Sequence, residues 1–249
     1  MELPLISIIT VTFQAQSLIH DTVISVSEQT YPHIQHVLVD GGSKDQTVEI
    51  ARLIIRPNHI IISERDHGLY DAMNKGLAIS NGEYVLFLNA GDKFHRPDVL
   101  ASMFALQPGA DCYYGPTTII DEKGQFIAMR RHTPPKNLHW KSFTMGMCVS
   151  HQSILMRKKH AVNFDLQYKI AADIDWSIRS LKNTSTTAFC NFPISDFMVG
   201  GVSSNRRWQG LKERFKIMIA HYGLPITIWS HVKIAVRFGI QKIRARSMD

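Results

Sequence analysis

The chain has 249 residues, 45% of them hydrophobic and 20% charged, with no fixed-period repeat and no long low-complexity tract. Those numbers exclude a disordered or fibrous protein and fit one large α/β domain or two small ones with a substantial core. The net charge of +7 is unevenly placed: residues 206–249 hold ten Lys or Arg and two acids, so the remaining 205 residues sit at −1. A basic segment of that kind meets nucleic acid, an anionic membrane or an acidic partner.

The first strand is predicted at Ile6–Thr12, β-branched and too short to span a bilayer. No basic leader precedes it, so neither a signal peptide nor a spanning helix is expected. Helix-like stretches at Leu18–Gln29, Thr47–Ile55 and Leu69–Ile79 alternate with strand candidates at Val37–Val39 (preceded by Ile34), Ile60–Ile62 and Tyr84–Leu88. Pro32, Pro57 and Pro97 punctuate them. That alternation predicts βαβ units and a Rossmann-like, mainly parallel sheet flanked by helices. Residues 110–200 are less regular, with a Pro134–Pro135 break, a strand at Ser153–Met156 and a helix over Ala172–Leu181; they read as a second lobe on the same sheet. The tail predicts two amphipathic helices, with apolar stripes at Trp208, Leu211, Phe215, Met218, Tyr222 and at Trp229, Val232, Val236, Ile240, Ile243. Cys112, Cys148 and Cys190 are widely spaced and odd in number, which suggests buried thiols in a reducing compartment.

Three segments carry candidate chemistry. Val37-Leu38-Val39-Asp40-Gly41-Gly42-Ser43-Lys44-Asp45-Gln46-Thr47 runs a strand into an acid, two glycines and a helix start, the place where open parallel sheets bind ligands. A capping acid with no ligand is the competing reading. The dehydrogenase fingerprint Gly-x-Gly-x-x-Gly is absent after the first strand, which counts against a nicotinamide cofactor. Ser63 to Gly76 crowds Asp66, Gly68, Asn74 and Lys75 around a strand end, where a loop can wrap a nucleotide. Leu86-Phe87-Leu88-Asn89-Ala90-Gly91-Asp92 ends a buried strand at Asp92, positioned to hold Mg²⁺ or Mn²⁺ on a diphosphate.

With Ser7-Ile8-Ile9-Thr10-Val11-Thr12-Phe13-Gln14 in front of them, these segments resemble the inverting family-2 glycosyltransferases of the GT-A fold. Among those they are most similar to bacterial surface-polysaccharide transferases of the colanic-acid type. The similarity spans about residues 5–205. It implies a catalytic domain over 1–205, divided near residue 100 into a nucleotide-binding and an acceptor-binding half, with 206–249 as a basic helical tail. It implies Thr12 and Phe13 beside a uridine, Asp40 (with Gly41) on the base, and Asp66 facing the nucleoside. Asn89 to Asp92 matches the metal-binding Asp-x-Asp segment, with Asn89, Ala90 and Gly91 leaving Asp92 as its sole carboxylate. Asp173 and Asp175 are two apart and face different sides of a helix, so one of them would face the site; the family's catalytic base sits in a Glu-Asp segment that Ala172-Asp173 matches, which implies Asp173 as the base and Asp175 as runner-up. His151 and Gln152 would lie near donor phosphates or acceptor, and a loop including Ser203 would close over the diphosphate.

The implied reaction moves a sugar from a nucleotide-sugar, a UDP-sugar by preference, to a glycan or lipid-linked acceptor in surface polysaccharide biosynthesis. The tail would rest on the anionic cytoplasmic membrane face or pack on the body. Two other readings remain open: a nucleotidyltransferase, which lacks its phosphate loop here, and a degenerate, non-catalytic interaction module. Nucleic acid is not an expected partner, because the body is near neutral and carries no recognisable binding motif.

Overall fold

The computed structural model describes residues 3–55, 59–200 and 206–246. Its elements run β1 (Ile6–Thr12), α1 (Ile19–Ser27), β2 (Ile34–Asp40), α2 (Thr47–Ile54), β3 (Ile60–Ser63), α3 (Leu69–Ile79) and β4 (Tyr84–Phe87). Then come β5 (Lys93–Phe94), α4 (Val99–Leu106), β6 (Cys112–Tyr114), β7 (Thr117–Ile120), β8 (Phe126–Met129), β9 (Ile154–Arg157) and α5 (Ala172–Leu181). The chain ends with β10 (Thr187–Phe189), β11 (Ser195–Met198), α6 (Arg207–Tyr222) and α7 (Leu224–Arg246). The predicted helices in the first two hundred residues lie within two residues of those found, because clean 3.6-residue periodicity and breakers mark their ends.

Seven strands form the main sheet in the order β10-β6-β9-β4-β1-β2-β3. β4, β1, β2 and β3 are mutually parallel, and β9 runs antiparallel to both β4 and β6. The second half therefore extends the first half's sheet, as a second lobe would. A separate four-stranded sheet, β5-β11-β7-β8, lies beyond it.

Alternation along the central strands sorts their side chains into two cores. Ile9, Val11, Val37, Val39, Val85 and Phe87 face α3 and α5, whereas Ile6, Ile8, Tyr84, Leu86 and Leu88 face α4. α3 packs so closely that a methyl group at Gly76 would come within 2.4 Å of Ile9 Cγ2. Under α5, Trp176 stacks on Phe164 and meets Phe87 edge-on, at centroid distances of 5.3 and 5.4 Å. This rigid aromatic block fixes α5, which carries Asp173.

The tail divides differently from the sequence expectation. α6 is part of the body: Ile217, Met218 and Tyr222 are buried, and Tyr222 Oη donates to Trp140 O at 2.6 Å. The predicted stripe is split, because Trp208 and Leu211 face solvent while Glu213 is buried. α7 buries Thr227 and Ser230 and exposes Leu224, Ile228, Trp229, Val232 and Val236. The side chains of Ile240 and Ile243 lie outside the described residues. No helix among the described residues is long and apolar enough to cross a membrane. Cys112 and Cys190 are buried and Cys148 half-buried, all three free; burial pushes the Cys148 thiol up to about 11 and Cys190 to about 12, so neither offers a reactive thiolate.

Candidate active site

The carboxyl ends of β1, β2 and β3 open into one cleft. Phe13, just past β1, is 62% exposed although aromatic and apolar. Gly41, just past β2, sits so near its neighbours that an added Cβ would meet Asp66 Oδ2 at 2.5 Å and the Phe13 ring at 3.2 Å. Phe13, Gly41 and Asp66 thus share one spot, a ring face beside a carboxylate, suited to a base and a ribose. Asp66 Oδ1 accepts from Gly68 N at 2.8 Å, which holds the loop and leaves Oδ2 toward the cleft. Gly68 has φ 112°, a conformation that favours glycine at this turn into α3.

Asp40 has another task than the expected one. It is wholly buried, and it accepts from Gly42 N, Ser43 N, Ser43 Oγ and Ser63 Oγ at 2.5–3.1 Å. It therefore shapes the glycine turn and ties β2 to β3. Asn74 is likewise redirected: its Nδ2 donates to Phe164 O at 2.9 Å and its Oδ1 accepts from Phe164 N at 2.7 Å, pinning α3 to the loop before α5. Lys75 pairs with Glu64 at 2.7 Å and donates to Arg65 O at 2.9 Å, so it braces the Asp66 loop.

The segment after β4 continues the cleft. Ala90 N donates to Val11 O at 3.1 Å, which places Asn89 and Ala90 alongside the end of β1. Asp92 is 4% exposed; its Oδ2 accepts from Gln152 Nε2 at 2.8 Å and its Oδ1 from Met198 N at 3.0 Å. Burial pushes its carboxyl up to about 6, against the pull of those two donors. Gln152, whose Oε1 accepts from Ser150 Oγ, is thereby committed to Asp92 and not to a ligand.

Mg²⁺ or Mn²⁺ at a nucleotide takes one or two carboxylates plus phosphate oxygens. Here the lone carboxylate of the segment has both oxygens engaged by protein donors, and Asn89 adds only an amide oxygen. No group of three His, Cys, Asp or Glu able to hold a metal occurs among the described residues. Asp92 joins the β4 loop to β11 and to the turn at His151, and it is the one carboxylate that this segment offers a cation.

That turn reaches α5. His151 Nδ1 lies 3.6 Å from Asp173 Oδ2. Burial pushes the Asp173 carboxyl up, but His151 beside it, then Arg214 and the Ile174 N–H, outweigh it and hold it below the usual carboxylate range. Asp173 is therefore ionised at neutral pH and ready to accept a proton. Asp175 points elsewhere: its oxygens take Arg179 Nε at 2.6 Å and His221 Nε2 at 2.8 Å, and its side chain is 7% exposed. It locks α5 to α6, so the runner-up for the base is set aside. Ser203 lies outside the described residues.

Sequence reasoning missed three contributors. Glu213 accepts from Lys169 N, Ile170 N and Ala171 N at 2.8–3.1 Å, clamping the backbone just before Asp173. Arg214, next to it, and Arg130, just past β8, are within electrostatic reach of Asp173. Nothing in the sequence flags them, since each is one basic or acidic residue in a polar stretch.

Buried polar groups in folded proteins are nearly always hydrogen-bonded. Among the described residues, Thr12 Oγ1, Asn89 Oδ1, Arg130 Nη1 and His151 Nε2 are buried without a hydrogen-bond partner. All four belong to the elements that frame this cleft. Of the others, Arg96, Arg157 and His160 have a carboxylate within ion-pair distance, and Trp176 is in the core.

Comparison with known proteins gives the family and the fold. The family model described as glycosyl transferase family 2 matches residues 7–164. The PGL/p-HBAD biosynthesis glycosyltransferase of Mycobacterium bovis is 32% identical over 216 residues, covering 82% of this chain and 81% of that protein. The putative teichuronic acid biosynthesis glycosyltransferase TuaG of Bacillus subtilis is 24% identical, covering 84% of this chain and 85% of its own. Among solved structures, S. aureus TarS 1-349 superposes with a TM-score of 0.66 at 16% identity, covering 88% of this chain; the chain spans 66% of that fragment. The mannosyltransferase PcManGT from Pyrobaculum calidifontis, solved with GDP-Man and Mn2+, gives a TM-score of 0.63 at 16% identity, covering 99% of this chain and 81% of its own. The fold is the α/β arrangement of these transferases, a central sheet flanked by helices.

Proposed function

The chain belongs to glycosyl transferase family 2 and is a glycosyltransferase, and we propose that it moves a sugar from a nucleotide-sugar to an acceptor hydroxyl with inversion at the anomeric carbon. The observation that carries this reading is the set of contacts that brings Phe13, Gly41 and Asp66 together and links the Asn89–Asp92 segment, through the turn at His151 and Gln152, to Asp173. In the proposed reaction Phe13 and Asp66 receive the nucleoside, and the sugar lies between Asn89 and His151. Asp173 takes the acceptor proton as the oxygen attacks. His151 orients that carboxylate and holds it charged. A single displacement inverts the centre, so an α-linked donor yields a β product. Proton NMR of the product's anomeric coupling checks this; retained configuration would reject it. UDP and UDP-GlcNAc complexes of TarS and the GDP-Man complex of PcManGT support a nucleotide-sugar donor, with UDP and GDP both eligible.

For the acceptor we propose a glycan or lipid-linked intermediate of a surface glycoconjugate, the colanic-acid type being the class that the sequence resemblance points to. We also propose that α7 rests on the anionic cytoplasmic leaflet. Its outward face is apolar, with Trp229 60% exposed and Lys233 Nζ 5.0 Å from the Trp229 ring, and the helix sequence beyond is basic. Apolar insertion with flanking cations is how interfacial helices bind anionic lipid. Replacing both Trp229 and Val232 by Ser should lower binding to phosphatidylglycerol vesicles by about 10-fold or more, on roughly 1.5–3 kcal/mol per large apolar side chain. Unchanged vesicle sedimentation would remove α7 as the docking face.

A further inference from the structure

Arg130 lies in an unusual setting. Its backbone N–H donates to Thr117 O at 2.9 Å, which fixes where the side chain starts. The guanidinium is largely enclosed, Nη1 is fully buried, and it has no hydrogen-bond partner. No carboxylate lies within ion-pair distance of it among the described residues. Burial weakens its charge, Asp173 supports it, and the like charge of Arg214 opposes it. Asp173 is already engaged by His151. A buried guanidinium with idle donors is costly unless something pairs with it, and its planar fork matches the oxygens of a phosphate.

Both arginines come from the second sheet and α6, and neither from the β1–β3 ends where the nucleoside cleft lies. On α6, Arg214 follows the solvent-facing Leu211 by three residues and thus lies near it on the helix surface, with Trp208, 79% exposed, one turn further out. An apolar surface therefore leads to the arginines from outside. We infer that Arg130 and Arg214 form a phosphate-binding subsite beside Asp173 that holds a phosphoryl group of a prenyl-linked acceptor. This rests on the transferase reading of the same cleft. The subsite anchors the acceptor's phosphate while its attacking hydroxyl meets Asp173, and makes the enzyme selective for phosphorylated acceptors over neutral glycans.

The test is calorimetry of the full chain with inorganic pyrophosphate, farnesyl diphosphate, UDP and GDP, in wild type, Arg130→Gln and Arg130→Lys. Pyrophosphate and farnesyl diphosphate should bind the wild type and lose about 10–100-fold in Arg130→Gln, since one charge-assisted hydrogen-bonded contact contributes about 1.5–3 kcal/mol. Arg130→Lys should recover part of the loss, and nucleotide affinity should not move. Anion binding equal in wild type and Arg130→Gln, or no anion binding while a nucleotide binds, would overturn the subsite and leave the transferase reading intact. Loss of UDP or GDP affinity in Arg130→Gln would assign the arginine to the donor diphosphate and overturn the acceptor assignment. A wild type that binds neither nucleotide fails the transferase reading, and the pyrophosphate series still decides the subsite. Arg130→Gln removes a charge with no hydrogen-bonded or ion-paired protein partner among the described residues, so its thermal midpoint should not fall; a large fall would show that Arg130 has a structural partner and overturn the proposal.

Discussion

Asp173→Asn is expected to lower sugar transfer by about 10²–10⁴-fold, the range for removing a general base. The isosteric amide keeps its place at the start of α5 beside His151, whose Nδ1 lies 3.6 Å away in the wild type. What it loses is the ability to take a proton. The loss should therefore fall on kcat, with nucleotide affinity within about twofold of wild type, because the proposed nucleoside contacts lie at Phe13, Gly41 and Asp66, past the ends of other strands. Asp175→Asn serves as the contrast. It breaks the Arg179 and His221 pairs and should destabilise the α5–α6 junction, with kcat reduced far less at temperatures where the protein is folded. Near-native turnover in Asp173→Asn would end its assignment as the base.

The second large effect is structural. Glu213→Ala should cost about 3 kcal/mol of stability, since it leaves the N–H groups of Lys169, Ile170 and Ala171 without their acceptor. At roughly 2–4 °C per kcal/mol for a chain of this size, Tm should fall by about 6–12 °C. Activity should fall as well, by about 10–100-fold, because those residues immediately precede Asp173 and small misplacements of a base are expensive. Glu213→Gln isolates the charge. Burial raises the Glu213 carboxyl, but the Ile170, Lys169 and Ala171 N–H groups and Gln209 outweigh it and hold it below the usual range. A carboxyl depressed in the folded state stabilises above its unfolded pKa and loses that contribution as pH falls through the folded value. The Tm advantage of wild type over Glu213→Gln should thus be full above about pH 5 and shrink as pH drops below about 4, given an ordinary Glu near 4.3. A gap that is flat with pH would contradict the clamp.

The split between what was legible and what was not follows the range of the interactions. Helix and strand identity in the first two hundred residues depends on local periodicity and breakers, so α3 and α5 were predicted at their observed limits. Helical geometry put Asp173 and Asp175 on different faces, and only the family resemblance chose between them. Asp40 shows the opposite. Its position at a strand end marks a ligand site in sequence, yet whether its oxygens face a ligand or a loop depends on Ser63, which β3 brings from 23 residues away. The same holds for Asn74 and Phe164, 90 residues apart, and for Asp92 and Gln152, 60 apart. Which face of the tail is buried was not legible for a related reason. Its apolar periodicity was read correctly, but buried Glu213 and Thr227 reverse the inference from apolar stripe to buried face. In α7 Trp229, Val232 and Val236 of the stripe are exposed, a pattern that periodicity alone cannot orient.

The account stands or falls on a nucleoside-diphosphate cleft at Phe13, Gly41 and Asp66. The most direct test is calorimetric titration of UDP and GDP into wild type and Asp66→Ala, with Mn²⁺ supplied throughout so that no metal requirement goes unmet. One nucleotide should bind the wild type and lose about 10–100-fold in Asp66→Ala, in line with about 1.5–3 kcal/mol for a hydrogen bond to a charged group. A folded wild type that binds neither nucleotide, or an Asp66→Ala variant that binds as well as wild type, would contradict it.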